Sequence, residues 1–189
     1  MKQYSVVSFD LACTLFWEPG CDPKYKIRYL NQLLLDIINI LEDRFNRRVN
    51  NFDKGLRFEP LKTYWEIRDR VASKGPDREL WHKYLLLKLA YRYGFEIDSD
   101  ALDEIYEYFI NNRVTHFTPI DRLDILIGYV KSKGYKVIIT TGSLSHDLVV
   151  KLIRSHGLNK YVDLVYSTQL VGIPKDDPRF YSELVDLVG

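Results

Sequence analysis

What most constrains this chain is the gap between its first strand and its second. Val6-Val7-Ser8-Phe9 is a short apolar, β-branched run that predicts a buried strand ending at Asp10. The next run of that kind is Val137-Ile138-Ile139-Thr140. Between residues 24 and 113 apolar residues recur at intervals of three and four, with no strand pattern among them. From residue 117 onward, helix and strand patterns alternate, as they do in a parallel sheet with crossover helices. The chain reads as an α/β core interrupted, directly after strand one, by an all-helical insert.

Local signals mark the individual elements. Phe16 to Pro23 is punctuated by Pro19-Gly20 and predicts a turn-rich link. The first insert helix is expected from Lys24 to Arg48, with Ile27, Leu30, Leu34, Ile37, Ile38 and Leu41 on its inner face. After a break over Asn50 to Gly55, Pro60 opens a second helix to Ser73. A third is expected from Asp77 to Tyr93, closed by Gly94, and a fourth from Ser99 to Asn112 with Ser99 as N-cap. Beyond Phe117-Thr118-Pro119 come a helix from Ile120 to Lys133 and the strand over 137–140. A helix from Ser145 to His156 follows, capped by Ser145 and stopped by Gly157. A strand from Val162 to Tyr166 and a last helix from Pro178 to Val188 complete the pattern. Neither an internal repeat nor a low-complexity segment is evident.

Composition narrows the function classes. With 46% hydrophobic and 28% charged residues, the chain has the make-up of a soluble globular protein. A formal net charge of +1 gives no basic surface for nucleic acid or a membrane. No apolar run approaches the roughly 18 residues of a membrane span. Met1-Lys2-Gln3-Tyr4 leads straight into the strand without a secretory leader. Cys13 and Cys21 are too few for a disulfide framework and suggest a reducing interior, so a cytoplasmic location is expected. A single methionine and three glutamines fit a thermophilic source.

The chemistry-bearing residues fall at strand ends. A carboxylate at the C-terminal end of a parallel strand faces the crevice where open α/β sheets bind ligands. Asp10 stands there, with Thr14 four residues on. Gly134 to Ser143 is a strand pattern ending in Thr140-Thr141-Gly142, and Ser167 to Pro178 contains Gly172-Ile173-Pro174-Lys175-Asp176-Asp177-Pro178. Read residue by residue, these remain open to plainer roles: a loop-capping aspartate, a hydroxyl-rich strand exit, a solvated lysine.

Together they resemble the haloacid dehalogenase (HAD) superfamily. Its first motif is Asp-x-Asp-x-Thr, its second a strand ending in Thr or Ser, and its third Gly-x-x-Lys-Pro-Asp-Pro. The insert after strand one is similar to that family's helical cap. The resemblance implies a Rossmann-like parallel-sheet core over 1–16 and 114–189, C-terminally short, with a helical cap over 17–113. It implies Asp10 as a nucleophile forming a covalent intermediate, and Lys175 as the neutralising cation. Thr14, Thr141 and Gly142 would hold the substrate anion.

Two departures bear on function. Ala12 replaces the second aspartate, which in family phosphatases protonates the leaving oxygen. Alanine removes general-acid help worth roughly 10²–10⁴-fold, so phosphate-ester hydrolysis is poorly supported. The resemblance then favours a small anionic substrate handled as in haloacid dehalogenases or phosphonoacetaldehyde hydrolases. The second departure is the absence, before Gly189, of the family's fourth motif, an acidic loop after a further strand. A magnesium ion would have Asp10 and little else, so no cofactor is expected. The missing strand would leave residues 5–9 as an open edge. A second copy of this chain, a different protein or a rearranged cap segment is expected to cover it. The alternative to an enzyme is therefore a catalytically silent scaffold that binds or assembles through that edge; a natural chain continuing past Gly189 is a third reading.

Other residues carry less. Cys13, where the family usually has glycine, reads as a buried, inert thiol. Lys54 reads as a solvated loop lysine and Arg28 as a candidate for a substrate carboxylate. The aromatic residues of the insert, among them Trp65, Tyr84 and Phe109, read as packing rather than a substrate box. His82, His116, His146 and His156 show no metal-ligand spacing.

Overall fold

The structure is a computed structural model, and it describes residues 5–18, 21–49, 62–67, 81–142 and 144–188. In chain order the elements are β1 (Val6–Asp10), β2 (Phe16–Trp17), α1 (Pro23–Arg44), α2 (Trp81–Arg92), α3 (Ser99–His116) and β3 (Thr118–Pro119). They continue with α4 (Leu123–Ser132), β4 (Lys136–Thr141), α5 (His146–Ser155), β5 (Leu164–Ser167), α6 (Thr168–Val171) and α7 (Pro178–Val188). Residues 62–67 are also helical. The chain divides into two compact units, Met1–Cys21 with Val114–Gly189, and Asp22–Arg113.

The first unit is built on a parallel sheet of order β1-β4-β5. Central β4 is Lys-Val-Ile-Ile-Thr-Thr, exposed at Lys136 and buried at every later position. A strand covered on both faces needs such a continuous apolar run rather than an alternating one. Register pairs Val7 with Val137, Phe9 with Ile139 and Asp10 with Thr140, and then Thr141 with Ser167. The chain has thus brought residue 10 beside residue 140 at the C-terminal end of the sheet. Among the described residues β1 pairs with β4 alone, and its Val6, Val7 and Phe9 are half-buried.

Helix α7 seals one face. Its Phe180 and Leu184 pack on Ile138 and Tyr166, flanked by Val6, Leu164, Val171, Ile173 and Val188. The Phe180 and Tyr166 rings meet edge-on at 4.7 Å. Helix α5 follows the expected signals: Ser145 caps it by accepting from the Leu148 amide at 3.4 Å, and Gly157, at φ +65°, follows the C-cap residue His156. At the opposite end of the sheet from Asp10, Asp163 accepts from the Val137 amide at 2.8 Å and from Lys131 Nζ at 2.5 and 2.6 Å. Burial would raise the Asp163 carboxyl, but the Lys131 and Val137 hydrogen bonds and the charges of Lys131 and Lys136 outweigh it and hold the group below the usual carboxylate range.

Five expectations need correction. Phe16 and Trp17 are not merely part of a link: they form β2, antiparallel to β3, with Phe16 against Pro119 and Trp17 against Thr118. A two-residue strand is too short to leave a period-2 signal. Asp98, rather than Ser99, caps α3, its carboxylate accepting from the Ala101 amide at 2.8 Å. Both residue types cap well, and the carboxylate one position earlier reaches the N–H. Helix α3 also runs four residues further than expected, to His116, whereas α1 stops at Arg44. Asn46 then turns to φ +44°, and the buried Glu42 carboxylate accepts from the Val49 amide at 2.9 Å. Ile27, on the expected inner stripe, is 65% exposed. Lys54 and parts of the second and third expected helices lie outside the described residues.

The second unit is helical among its described residues. Leu33, Leu34, Ile37, Ile38 and Leu41 of α1 are buried, as are Leu85, Leu86 and Leu89 of α2 and Ile105, Phe109 and Ile110 of α3. Asp22 caps α1 by accepting from the Lys24 amide at 2.8 Å, and Pro23 stands in the first turn, where its missing N–H costs nothing. Within this core His82 and Arg113 are also buried, both against Phe109: the His82 ring lies 5.4 Å from the Phe109 ring and Arg113 Cζ 5.6 Å from it. Burial first, and the Arg113 charge second, lower the His82 imidazole from 6.5 to about 3.

Two predictions follow from this packing. Phe180→Ala is expected to cost about 3–5 kcal/mol, read as a lower urea midpoint at unchanged slope. For pH, an unfolded His82 takes up a proton below about 6.5, while the folded one resists until about 3. The unfolded chain binds more protons in that window, so stability attributable to His82 falls as pH drops from 6.5 toward 3, by up to about 1.4 kcal/mol per pH unit. Urea titrations across that range should show the slope, and His82→Gln should flatten it by one proton.

Candidate active site

Parallel pairing sets the floor of the site. Asp10 is the last residue of β1, and Thr140-Thr141 end β4 beside it. Thr140 Oγ1 donates to the Phe9 carbonyl and accepts from Ser8 Oγ, each at 3.3 Å, which ties the two strand ends together. After Asp10 the chain turns tightly: the Leu11 carbonyl accepts from the Leu15 and Phe16 amides at 2.9 and 3.0 Å. That turn returns Thr14 toward the strand end, where its hydroxyl donates to Asp10 Oδ2 at 3.0 Å.

Lys175 arrives from 165 residues away, on the loop between α6 and α7. Its ammonium donates to Asp10 Oδ1 at 2.5 Å and lies 3.5 Å from the Thr140 carbonyl. Both Asp10 oxygens therefore have a donor, one charged and one neutral. The Asp10 side chain is still 45% exposed and that of Lys175 21%, so the pair is reachable from solvent. Beyond Lys175, Asp177 is locked by Arg179, which donates from its backbone and guanidinium. That hydrogen bonding holds the Asp177 carboxyl below its usual range.

Gly142 is required by a close approach. Its φ is not among the positive values, but a Cβ there would sit 3.0 Å from Lys175 Cβ and 3.7 Å from Thr168 Oγ1. The Lys175 stem thus passes directly over the Gly142 backbone. Thr141 and Thr168 are buried beside it, and Thr168 Oγ1 has no hydrogen-bond partner among the described residues. Next to them Ser167 Oγ accepts from the Leu170 amide at 3.0 Å and lies 3.2 Å from His146 Nδ1.

Of the residues singled out from sequence, Thr14 and Lys175 each touch Asp10, and Gly142 lies against Lys175. Thr141 lies at the same sheet end, paired with Ser167. Arg28 lies exposed on α1, in the other unit. The Cys13 reading is overturned: the residue is exposed and disulfide-bonded to Cys21, with Cα atoms 5.6 Å apart. The cysteine count therefore no longer argues for a reducing interior. The overlooked signal was the short sequence interval between the only two cysteines, which stand on either side of Pro19-Gly20. No described helix is long and apolar enough to cross a membrane.

A magnesium ion at Asp10 would draw on few side chains of the described residues. One carboxylate is present, its oxygens engaged by Lys175 and Thr14, and among the described residues no three His, Cys, Asp or Glu side chains cluster as metal ligands. Away from Asp10, an open cleft of about 350 Å³ lies between the start of α4 and His156, lined by Pro119, Asp121, Arg122 and Leu158 among others. It shares no residue with the group formed by Asp10, Thr14, Thr141, Gly142 and Lys175.

Comparison with known proteins identifies the family. The family model of haloacid dehalogenase-like hydrolases matches residues 28–189, a stretch that holds Thr141, Gly142 and Lys175 and begins after Asp10. The GMP/IMP nucleotidase YrfG of Escherichia coli (strain K12) is 35% identical over 60 residues, which are 32% of this chain and only 27% of the nucleotidase. The 2-haloacid dehalogenase from Pseudomonas syringae pv. Tomato DC3000 is similar in structure with a TM-score of 0.63 at 21% identity, over 98% of this chain and 73% of that one. The HAD-hydrolase YfnB from Bacillus subtilis, solved bound to magnesium, gives 0.55 at 16% identity, over 98% and 74%. At such identities the likeness to the two structures is one of fold.

Gly142→Ala tests the close approach. Overpacking against Lys175 is expected to cost about 1–3 kcal/mol although the backbone angle suits alanine, and denaturant titration would measure it.

Proposed function

Because the chain belongs to the haloacid dehalogenase-like hydrolases, we propose that it hydrolyses a small anionic substrate through a covalent ester on Asp10. One observation carries the reading: a half-exposed carboxylate at the sheet's C-terminal end, held by Lys175 on one oxygen and Thr14 on the other. In the proposed reaction an Asp10 oxygen attacks the substrate carbon, the bond to the leaving group breaks, and that group departs with its electron pair. Water then opens the ester and restores the carboxylate. Lys175 orients Asp10 and offsets the charge of the approaching anion. Thr141 and the Gly142 amide would hold the substrate's own carboxylate or phosphonate.

Ala12 selects among leaving groups. An alkoxide needs a proton as it leaves, and alanine has none to give. A halide leaves unprotonated. A substrate of the 2-haloacid type therefore suits this site better than phosphate esters, including nucleotides of the kind named for the Escherichia coli relative; a phosphonate, attacked at phosphorus instead, is kept as the second candidate on family likeness alone, since its carbon leaving group also takes up a proton. The reaction as proposed draws on this chain's own residues alone.

A second reading is favoured by β1, which has a strand partner on one side only among the described residues. In that reading the chain is a silent scaffold that pairs with a second copy of itself along residues 5–9. Denaturing mass spectrometry after incubation with a 2-haloacid, a phosphonate and an acyl phosphate separates the two. The enzyme reading expects a covalent adduct or product with the first or second, lost in Asp10→Asn. No adduct and no turnover with any of them, together with a dimer in sedimentation, would replace it by the scaffold reading.

A further inference from the structure

We propose that Cys13–Cys21 is a thiol–disulfide exchange site that latches the loop carrying Asp10 and Thr14. Cys13 lies between those two residues and holds φ at +60°, a left-handed conformation that side chains other than glycine, asparagine and aspartate rarely adopt. Its amide donates to the Phe16 carbonyl at 2.8 Å, so the strained residue is part of the turn's hydrogen bonding. The neighbouring Thr14 places its hydroxyl on Asp10 Oδ2. The disulfide tethers this turn to Cys21, the last residue before the helical unit begins at Asp22. Without the tether nothing covalent opposes relaxation of Cys13 to negative φ, a change that pulls its amide from Phe16 and shifts Thr14 off Asp10.

The bond is open to exchange. Cys13 is exposed and Cys21 half-buried, and no other cysteine in the chain competes for either. A dithiol reductant supplies the chemistry. Its thiolate attacks Cys13 Sγ, the S–S bond breaks, and Cys21 Sγ leaves as a thiolate. The reductant's second thiol then displaces Cys13 and departs as a disulfide, so two electrons and two protons end on the two cysteines. Reoxidation reverses this and restores the latch.

Amide hydrogen exchange on the full chain tests the idea, with dithiothreitol as the reductant and oxidised glutathione to reform the bond. After oxidation neither thiol should alkylate until dithiothreitol is added. Reduction should speed exchange of the Leu15 and Phe16 amides at least tenfold, leave the Ile138 and Ile139 amides of β4 unchanged, and be reversed by reoxidation. Cys21→Ser should exchange at the fast rate with or without reductant. Cys13→Gly, which tolerates positive φ, should stay slow under both conditions. Thiols that alkylate freely after oxidation, or exchange rates indifferent to reduction, would overturn the latch. The link to turnover rests on the Asp10 reading: an active protein should lose most of its activity on reduction and regain it on reoxidation. A protein with no turnover at all overturns that reading while leaving the exchange result to decide the latch.

Discussion

Five residue pairs between β1 and β4 hold together a chain that leaves the sheet at Asp10 and returns to it at Lys136. Everything chemical in the molecule depends on that parallel register. Closing so long an interval costs entropy, although the cost grows only with the logarithm of its length. The pairing is affordable because the intervening residues are not a loop: Asp22–Arg113 form a compact unit with its own buried face on α1, α2 and α3. A shift of β1 by one residue would turn Asp10 to the other face of the sheet and carry it away from Lys175.

The site so assembled is economical in charge. One carboxylate is matched by one ammonium and one hydroxyl, and alanine stands where a second carboxylate would supply a proton. On the proposed reading, Ala12 suits a leaving group that needs no proton, so positions 10 and 12 are to be read together.

Much of the fold was legible because its determinants are local or periodic. The run over 137–140, the Ser145 cap, the Gly157 stop and the helix from Pro178 to Val188 all stand where the pattern put them. The rest depends on partners distant in sequence. Phe16-Trp17 becomes a strand only because Thr118-Pro119 lies alongside, and no local period announces that. Cap choice between Asp98 and Ser99 turns on one residue of backbone reach. Asp10 and Lys175 were recognised through motif resemblance; periodicity alone says nothing of their contact. The disulfide was misread because a count of two suggested unpaired thiols, whereas the short spacing between Cys13 and Cys21 held the better clue.

The clasp of Asp163 with Lys131 and the Val137 amide has a wider consequence. It fastens β4 and β5 at the sheet end remote from Asp10, with charge-assisted bonds and backbone pairing. Anchorage and chemistry are thereby assigned to opposite ends of the same strands. A substitution beside Asp10 then leaves the Asp163 clasp in place, so the joining of β4 to β5 does not hinge on the residues around Asp10.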